Sequence, residues 1–149
     1  MRVFDPVCLI LRKKGTEVWR VPSDATVYDA MKMMAEKDVG ALLVMDGEHL
    51  GGLVSERDYA RKVILQGRSS RETPVREIMS EPIITITPEC SVDEAMRLIT
   101  TNRIRHLPVV SESKVQGVIS IGDLVQWISS AQDQTIEQLE HYIEGKYPC

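Results

Sequence analysis

Apolar positions along the chain follow a helical period and then a strand period, and the sequence of the two is written twice. Val27, Ala30, Met31 and Met34 recur at i, i+3, i+4 and i+7, one face of a helix, and Val92, Ala95, Met96 and Ile99 repeat that spacing. A short β-rich segment precedes each stretch, "EVWRV" in one case and "IITIT" in the other. Thr26 and Ser91 stand as N-caps with Asp29 and Glu94 three residues on, the capping-box spacing. Paired apolar runs follow, "ALLVM" with "LGGLV" and "LPVV" with "VQGVIS", each pair joined by a few polar residues, which predicts hairpins. A further helix is expected from near Glu56 and near Ile121.

Sliding the chain by 65 positions lays Val18–Val63 on Ile83–Ile128 without a gap, so that Gly52 meets Gly117, Ser55 meets Ser120 and Asp58 meets Asp123. So long a register implies duplication. The expected fold is α/β (α+β): two β-α-β-β-α units packed with pseudo-twofold symmetry, since neither half is long enough to bury its own sheet well. The expected boundaries are an N-terminal helix and lead-in at 1–17, unit one at 18–66, a linker at 67–82, unit two at 83–130 and a C-terminal helix or tail at 131–149. The tail, with Ile136, Leu139, Tyr142 and Ile143 at helical spacing, is expected on the core or, preferably, on a partner chain.

Composition narrows the classes. The 149 residues are 43% hydrophobic and 27% charged, ordinary for a globular chain. A net charge of −4 gives no overall attraction to nucleic acid or anionic lipid, so neither is expected as a partner and any anion site is local. Cys8, Cys90 and Cys149 match no zinc spacing, which suggests reduced thiols and a cytoplasmic setting. A redox role for the terminal Cys149 is the alternative. "PVCLIL" is too short for a signal segment or a membrane span. The methionines read as adaptable core filler.

Candidate chemistry gathers at "GLVSERD" and "GVISIGD". Taken singly, a serine with an acid three residues later is a helix start. Strand passes straight into helix here, however, where an α/β arrangement forms ligand crevices and free amides suit an anion. Asp58 and Asp123 can accept from a ribose diol, Ser55 and Ser120 can donate to phosphate, Arg57 adds charge, and Gly122 allows close approach. Arg105 and His106, before the strand containing Pro108, suit a phosphate as well as they suit solvated loop charge. Unit one has Gly40 and Ala41 there, so two sites would differ. Trp19 reads as core, with purine stacking the other option. His49 and His141 read as surface residues. Arg61, Lys62, Arg68, Arg71 and Arg76 read as a solvated helix and linker, with Arg76 a further phosphate candidate.

Paired units ending in "G-h-h-S-x-x-D" (h, apolar), with an internal "LPVV", resemble the cystathionine β-synthase type (CBS) domain pair, over about Val18 to Ile128. Within that family the chain looks most like small stand-alone members. The resemblance implies two units that often dimerise, and a non-enzymatic regulatory role in signal transduction and energy sensing. The ligands it implies contain adenosine: AMP, ADP, ATP, NAD(H) or S-adenosylmethionine, bound in a cleft between the units. One site would take Leu53, Ser55, Arg57 and Asp58 with Ile84, Ile104, Arg105 and His106. The other would take Val118, Ser120, Gly122 and Asp123 with Trp19, Val39, Gly40 and Ala41. No catalytic residue, catalytic cofactor or metal is expected. Expected partners are the adenosyl ligand, a second copy of the chain through the unit helices, with the C-terminal helix contributing, and an unidentified regulated protein. A partner-regulating scaffold and, third, a nucleotide hydrolase are the alternatives. Leu43 stands where the family has proline.

Overall fold

The computed structural model describes residues 2–81 and 83–130, so the tail, with His141 and Cys149, lies outside the described residues. The chain divides into two compact units of mixed helix and strand. The first is Val18–Ile83; the second draws residues 2–17 together with 84–130.

In the first unit β1 (Arg20–Val21) pairs in parallel with β2 (Ala41–Asp46), which pairs antiparallel with β3 (His49–Ser55). α2 (Val27–Lys37) lays Val27, Ala30 and Met34 on this sheet as their spacing requires. Thr26 Oγ1 accepts from Asp29 N, and Asp38 closes the helix in a left-handed conformation. The core joins these residues to Leu42, Val44, Val54 and Val63. α3 (Glu56–Tyr59) continues as a π-helical turn over Ala60–Ile64.

The second unit repeats the plan with α4 (Val92–Asn102), β4 (His106–Ser111), β5 (Lys114–Ser120) and α5 (Ile121–Ser129). Its core gathers Val92, Ala95, Ile99, Leu107, Val109, Ile119 and Leu124. The two hairpins even shift register at matching points, Val44/Met45 and Val109/Val110.

The first strands are shorter than the pattern predicts. "EVWRV" yields two strand residues, and "IITIT" yields only a bridge between Ile86 and Val109. Pro22 and Pro88 follow and cannot donate to a ladder. The difference between the units comes from Leu43. Its N–H donates to Trp19 O at 3.1 Å, whereas Pro108, its counterpart, has no N–H to give. Leucine in place of proline therefore adds a ladder bond.

The segments read as lead-in and linker each join a unit, and they are themselves a repeat. "DPVCLIL" at 5–11 and "TPVREIM" at 73–79 share Pro-Val and an isoleucine at a spacing of 68. Asp5 O accepts from Val92 N and Thr73 O from Val27 N, both at 2.8 Å. Pro6 bridges to Ser91 and Pro74 to Thr26. Val7 and Val75 are fully buried, and Ile10 and Ile78 nearly so. α1 (Cys8–Lys14) forms in the first copy and a single 3-10 turn, Val75–Glu77, in the second. Trp127 Nε1 donates to buried Asp5 at 3.0 Å and fixes the first copy to α5. Cys90 is a free thiol, whereas Cys8 is disulfide-bonded, so among the described residues the expectation of reduced cysteines holds at Cys90 and fails at Cys8.

Candidate functional site

β3 runs into α3 and β5 into α5 with no intervening loop. Ser55 and Ser120 therefore end a strand and begin a helix at once. Each serine Oγ accepts from the N–H of the aspartate three residues on, and each aspartate Oδ2 accepts from the serine N–H. Both helix starts are thus complete capping boxes. The amides expected to await an anion are in part already satisfied.

The first segment of each hairpin meets its strand exit. Ala41 pairs with Ser55, and Gly40 O accepts from Glu56 N at 3.1 Å. His106 pairs with Ser120, and Arg105 O accepts from Ile121 N at 2.9 Å. Thus Trp19, Val39, Gly40 and Ala41 share the first unit with Leu53, Ser55, Arg57 and Asp58. Ile84, Ile104, Arg105 and His106 share the second with Val118, Ser120, Gly122 and Asp123. Val39, Ile84 and Ile104 are half-buried against their units' cores, and Gly122 is exposed. Trp19 also packs on its core, with the Lys37 ammonium 4.4 Å from the ring centroid, a cation–π contact. Arg57 is exposed but not free.

The carboxylates differ. Asp58 is 6% exposed. Its Oδ2 also accepts from Ser55 Oγ at 3.1 Å, while Oδ1 accepts from Ser80 Oγ at 3.2 Å and lies 3.1 Å from Lys62 Nζ. Lys62 Nζ donates in addition to Ile78 O at 2.9 Å, and Leu53 exchanges both backbone hydrogen bonds with Ser80. Asp123 keeps its side chain 21% exposed; Oδ2 takes the Lys14 ammonium at 2.7 Å, and Oδ1 accepts from no described residue. Lys14 Nζ reaches Val118 O as well, at 2.9 Å. Burial holds the His106 imidazole below its ordinary pKa; Lys14 reinforces this, Asp123 opposes it, and Arg105 adds a smaller push downward.

Gly52 and Gly117, which open the two motifs, serve the lead-ins. A Cβ at Gly52 would lie 2.6 Å from Met79 Sδ, and one at Gly117 2.7 Å from Leu11 Cδ2. Leu11 and Met79 occupy matching places in the 68-residue repeat, so each glycine is the flat spot on which its unit's lead-in seats.

The family model for the CBS domain matches this chain twice, at residues 15–64 and 75–130, each match ending beyond a capped strand exit. The chain belongs to the CBS domain family. It is 45% identical over 138 residues to the CBS domain-containing protein CBSX3, mitochondrial, of Arabidopsis thaliana, covering 89% of this chain and 66% of that protein. The CBS domain-containing protein YhcV of Bacillus subtilis is 34% identical, with 73% of this chain and 77% of that one covered. Among solved structures, a putative signal-transduction protein with CBS domains from Burkholderia ambifaria superposes with a TM-score of 0.82 at 49% identity, covering 88% and 98% of the two chains.

Lys14, Lys62 and Ser80 are the residues around the CBS motifs that the sequence reading passes over as site components. For Lys14 and Ser80 the signal was the second "P-V-x-x-I", which marks where each lead-in docks, and for Lys62 its i,i+4 spacing from Asp58. The basic cluster is less solvated than expected. Besides Lys62, Arg68 pairs with Glu77, and Arg71 lies 3.9 Å from the centroid of the Tyr28 ring.

Proposed function

We propose that this CBS pair is a non-enzymatic regulatory module that binds an adenosine-containing nucleotide (AMP, ADP, ATP, NAD(H) or S-adenosylmethionine) and relays occupancy to a partner protein. The observation that carries the reading is Asp123. Its Oδ1 has no donor among the described residues, at a strand exit beside Ser120 and His106, so it can take a ribose hydroxyl without giving up its capping bond. Arg105 and His106, which the family pattern gives to the Asp58 site, belong to the same unit as Asp123 and on this reading offer charge and donors to a phosphate there. Relay follows from linkage: a ligand that prefers one arrangement of the chain shifts the population toward it.

Asp58 favours a second reading for its own exit. With serine and lysine groups on both oxygens and little exposure, it acts there as a structural cap, which is what a partner-regulating scaffold would need. Self-association belongs to the same proposal: Ile64 and Leu65 after α3 and Val125 on α5 are exposed large apolar residues. A CBS-CP12 protein of bloom-forming cyanobacteria, 29% identical with a TM-score of 0.75, is described as hexameric.

Thermal unfolding with AMP, ATP, NAD and S-adenosylmethionine in turn tests the reading. A ligand at 100 times its dissociation constant adds about 2.7 kcal/mol, and Asp123→Asn should reduce that gain. No shift with any of the four, in a protein that unfolds cooperatively, leaves the scaffold reading.

A further inference from the structure

The lysine that ends α1 is built into the second strand exit. Lys14 Nζ bonds at once to Asp123 Oδ2 and to the carbonyl of Val118, 109 and 104 residues further along the chain. Leu11, one helical turn earlier, is seated against Gly117, so the lysine is delivered by a fixed helix rather than by a loose arm. Arg105 begins the neighbouring segment, and His106 pairs across the hairpin with Ser120. One permanent cation, Lys14, therefore sits on this carboxylate, close to an imidazole that burial favours in its neutral form.

We propose that Lys14 sets the class of ligand accepted at Asp123, admitting a nucleotide that carries phosphate and holding out a neutral nucleoside. The inference rests on the nucleotide-binding reading above. A ribose diol that sets one hydroxyl on Oδ1 and the other on Oδ2 competes with the lysine for Oδ2. If the incoming molecule is neutral, the ammonium loses part of its charge-assisted bonding and gains no anion. A phosphate supplies that anion. The cost of loosening Lys14 is thus returned only by a charged ligand, and discrimination comes from the residue displaced as much as from the bonds the ligand itself makes. The first unit differs: Lys62, one turn after Asp58, likewise bonds the carboxylate and a carbonyl, Ile78 O, but there serine hydroxyls already hold both carboxylate oxygens.

The experiment is calorimetric titration of the full chain with AMP and with adenosine at low salt, reading the binding that Asp123→Asn weakens. Wild type should favour AMP by about tenfold or more, the worth of one charge-assisted hydrogen bond. Lys14→Met should bring the two ligands to within about threefold by the same argument, and Lys14→Arg should restore the preference. Lys14→Gln serves in its place if Lys14→Met no longer unfolds cooperatively. Equal binding of AMP and adenosine by wild type, or a preference that survives Lys14→Met, overturns the role of Lys14 while leaving nucleotide binding in place. If wild type binds neither ligand, the nucleotide reading fails and this inference fails with it.

Discussion

At Asp58, two serine hydroxyls, a main-chain amide and a lysine surround a buried carboxylate; at Asp123 one amide and one lysine hold a single oxygen, and the other accepts from none of the described residues. The motif residues are the same serine and aspartate, three apart, in both units. Their different surroundings come from the lead-ins. In the first unit Ser80 bridges to β3 and turns its hydroxyl to Asp58. In the second, the lead-in is a helix that ends in a flexible lysine. A repeated motif therefore carries repeated helix-capping geometry, but its capacity for a ligand depends on the segment docked beside it.

The sharpest way to break this comparison is Asp58→Ala against Asp123→Ala in urea unfolding. Asp58→Ala should cost about 2–3 kcal/mol, since it removes a helix cap together with charge-assisted bonds from Ser55, Ser80 and Lys62 to a buried carboxylate. Asp123→Ala should cost about 1 kcal/mol, the loss of a cap. Equal costs would mean that the enclosure of Asp58 carries no weight.

The glycines give the next largest contrast. Gly52→Ala drives a Cβ toward Met79 Sδ and to 3.1 Å from the carbonyl of Ser80, which is held in backbone pairing with Leu53. Overpacking of this kind costs about 1–3 kcal/mol. At Gly117 the three nearest atoms all belong to the Leu11 side chain, which can turn aside. Gly117→Ala should therefore lower the urea midpoint less than Gly52→Ala, and adding Leu11→Ala should not deepen the loss by the full cost of each change alone.

The smallest effect is a pH dependence confined to the second unit. His106 has a folded-state pKa below the ordinary 6.5, chiefly through burial. As pH falls, the unfolded chain takes up the proton first, so this contribution to stability is whole above about pH 6.5 and drains away as pH drops toward the lowered value. His106→Asn should flatten that part of the stability profile, measured by thermal unfolding between pH 7 and 5. The counterpart residue, Ala41, has nothing to titrate.

Much of this was legible beforehand. The apolar spacing at Val27–Met34 and Val92–Ile99 located both long helices, because one face of a helix must be apolar to bury itself. The serine–aspartate pairs located both strand exits, since capping is a local interaction between residues three apart. What escaped was non-local. The first strands shrank because pairing needs donors from both chains of the ladder, and Pro22, Pro88 and Pro108 withhold them. The lead-in repeat was missed because its spacing of 68 differs from the 65 of the cores.

The sequence alone determined the duplication, the order of elements and the capped strand exits, all of which follow from periodicity and short-range hydrogen bonding. Only the tertiary structure decided that Ser80 encloses Asp58 while Lys14 reaches Asp123. Those partners lie up to 109 residues apart, and no local pattern encodes which docked segment brings its charge to which carboxylate.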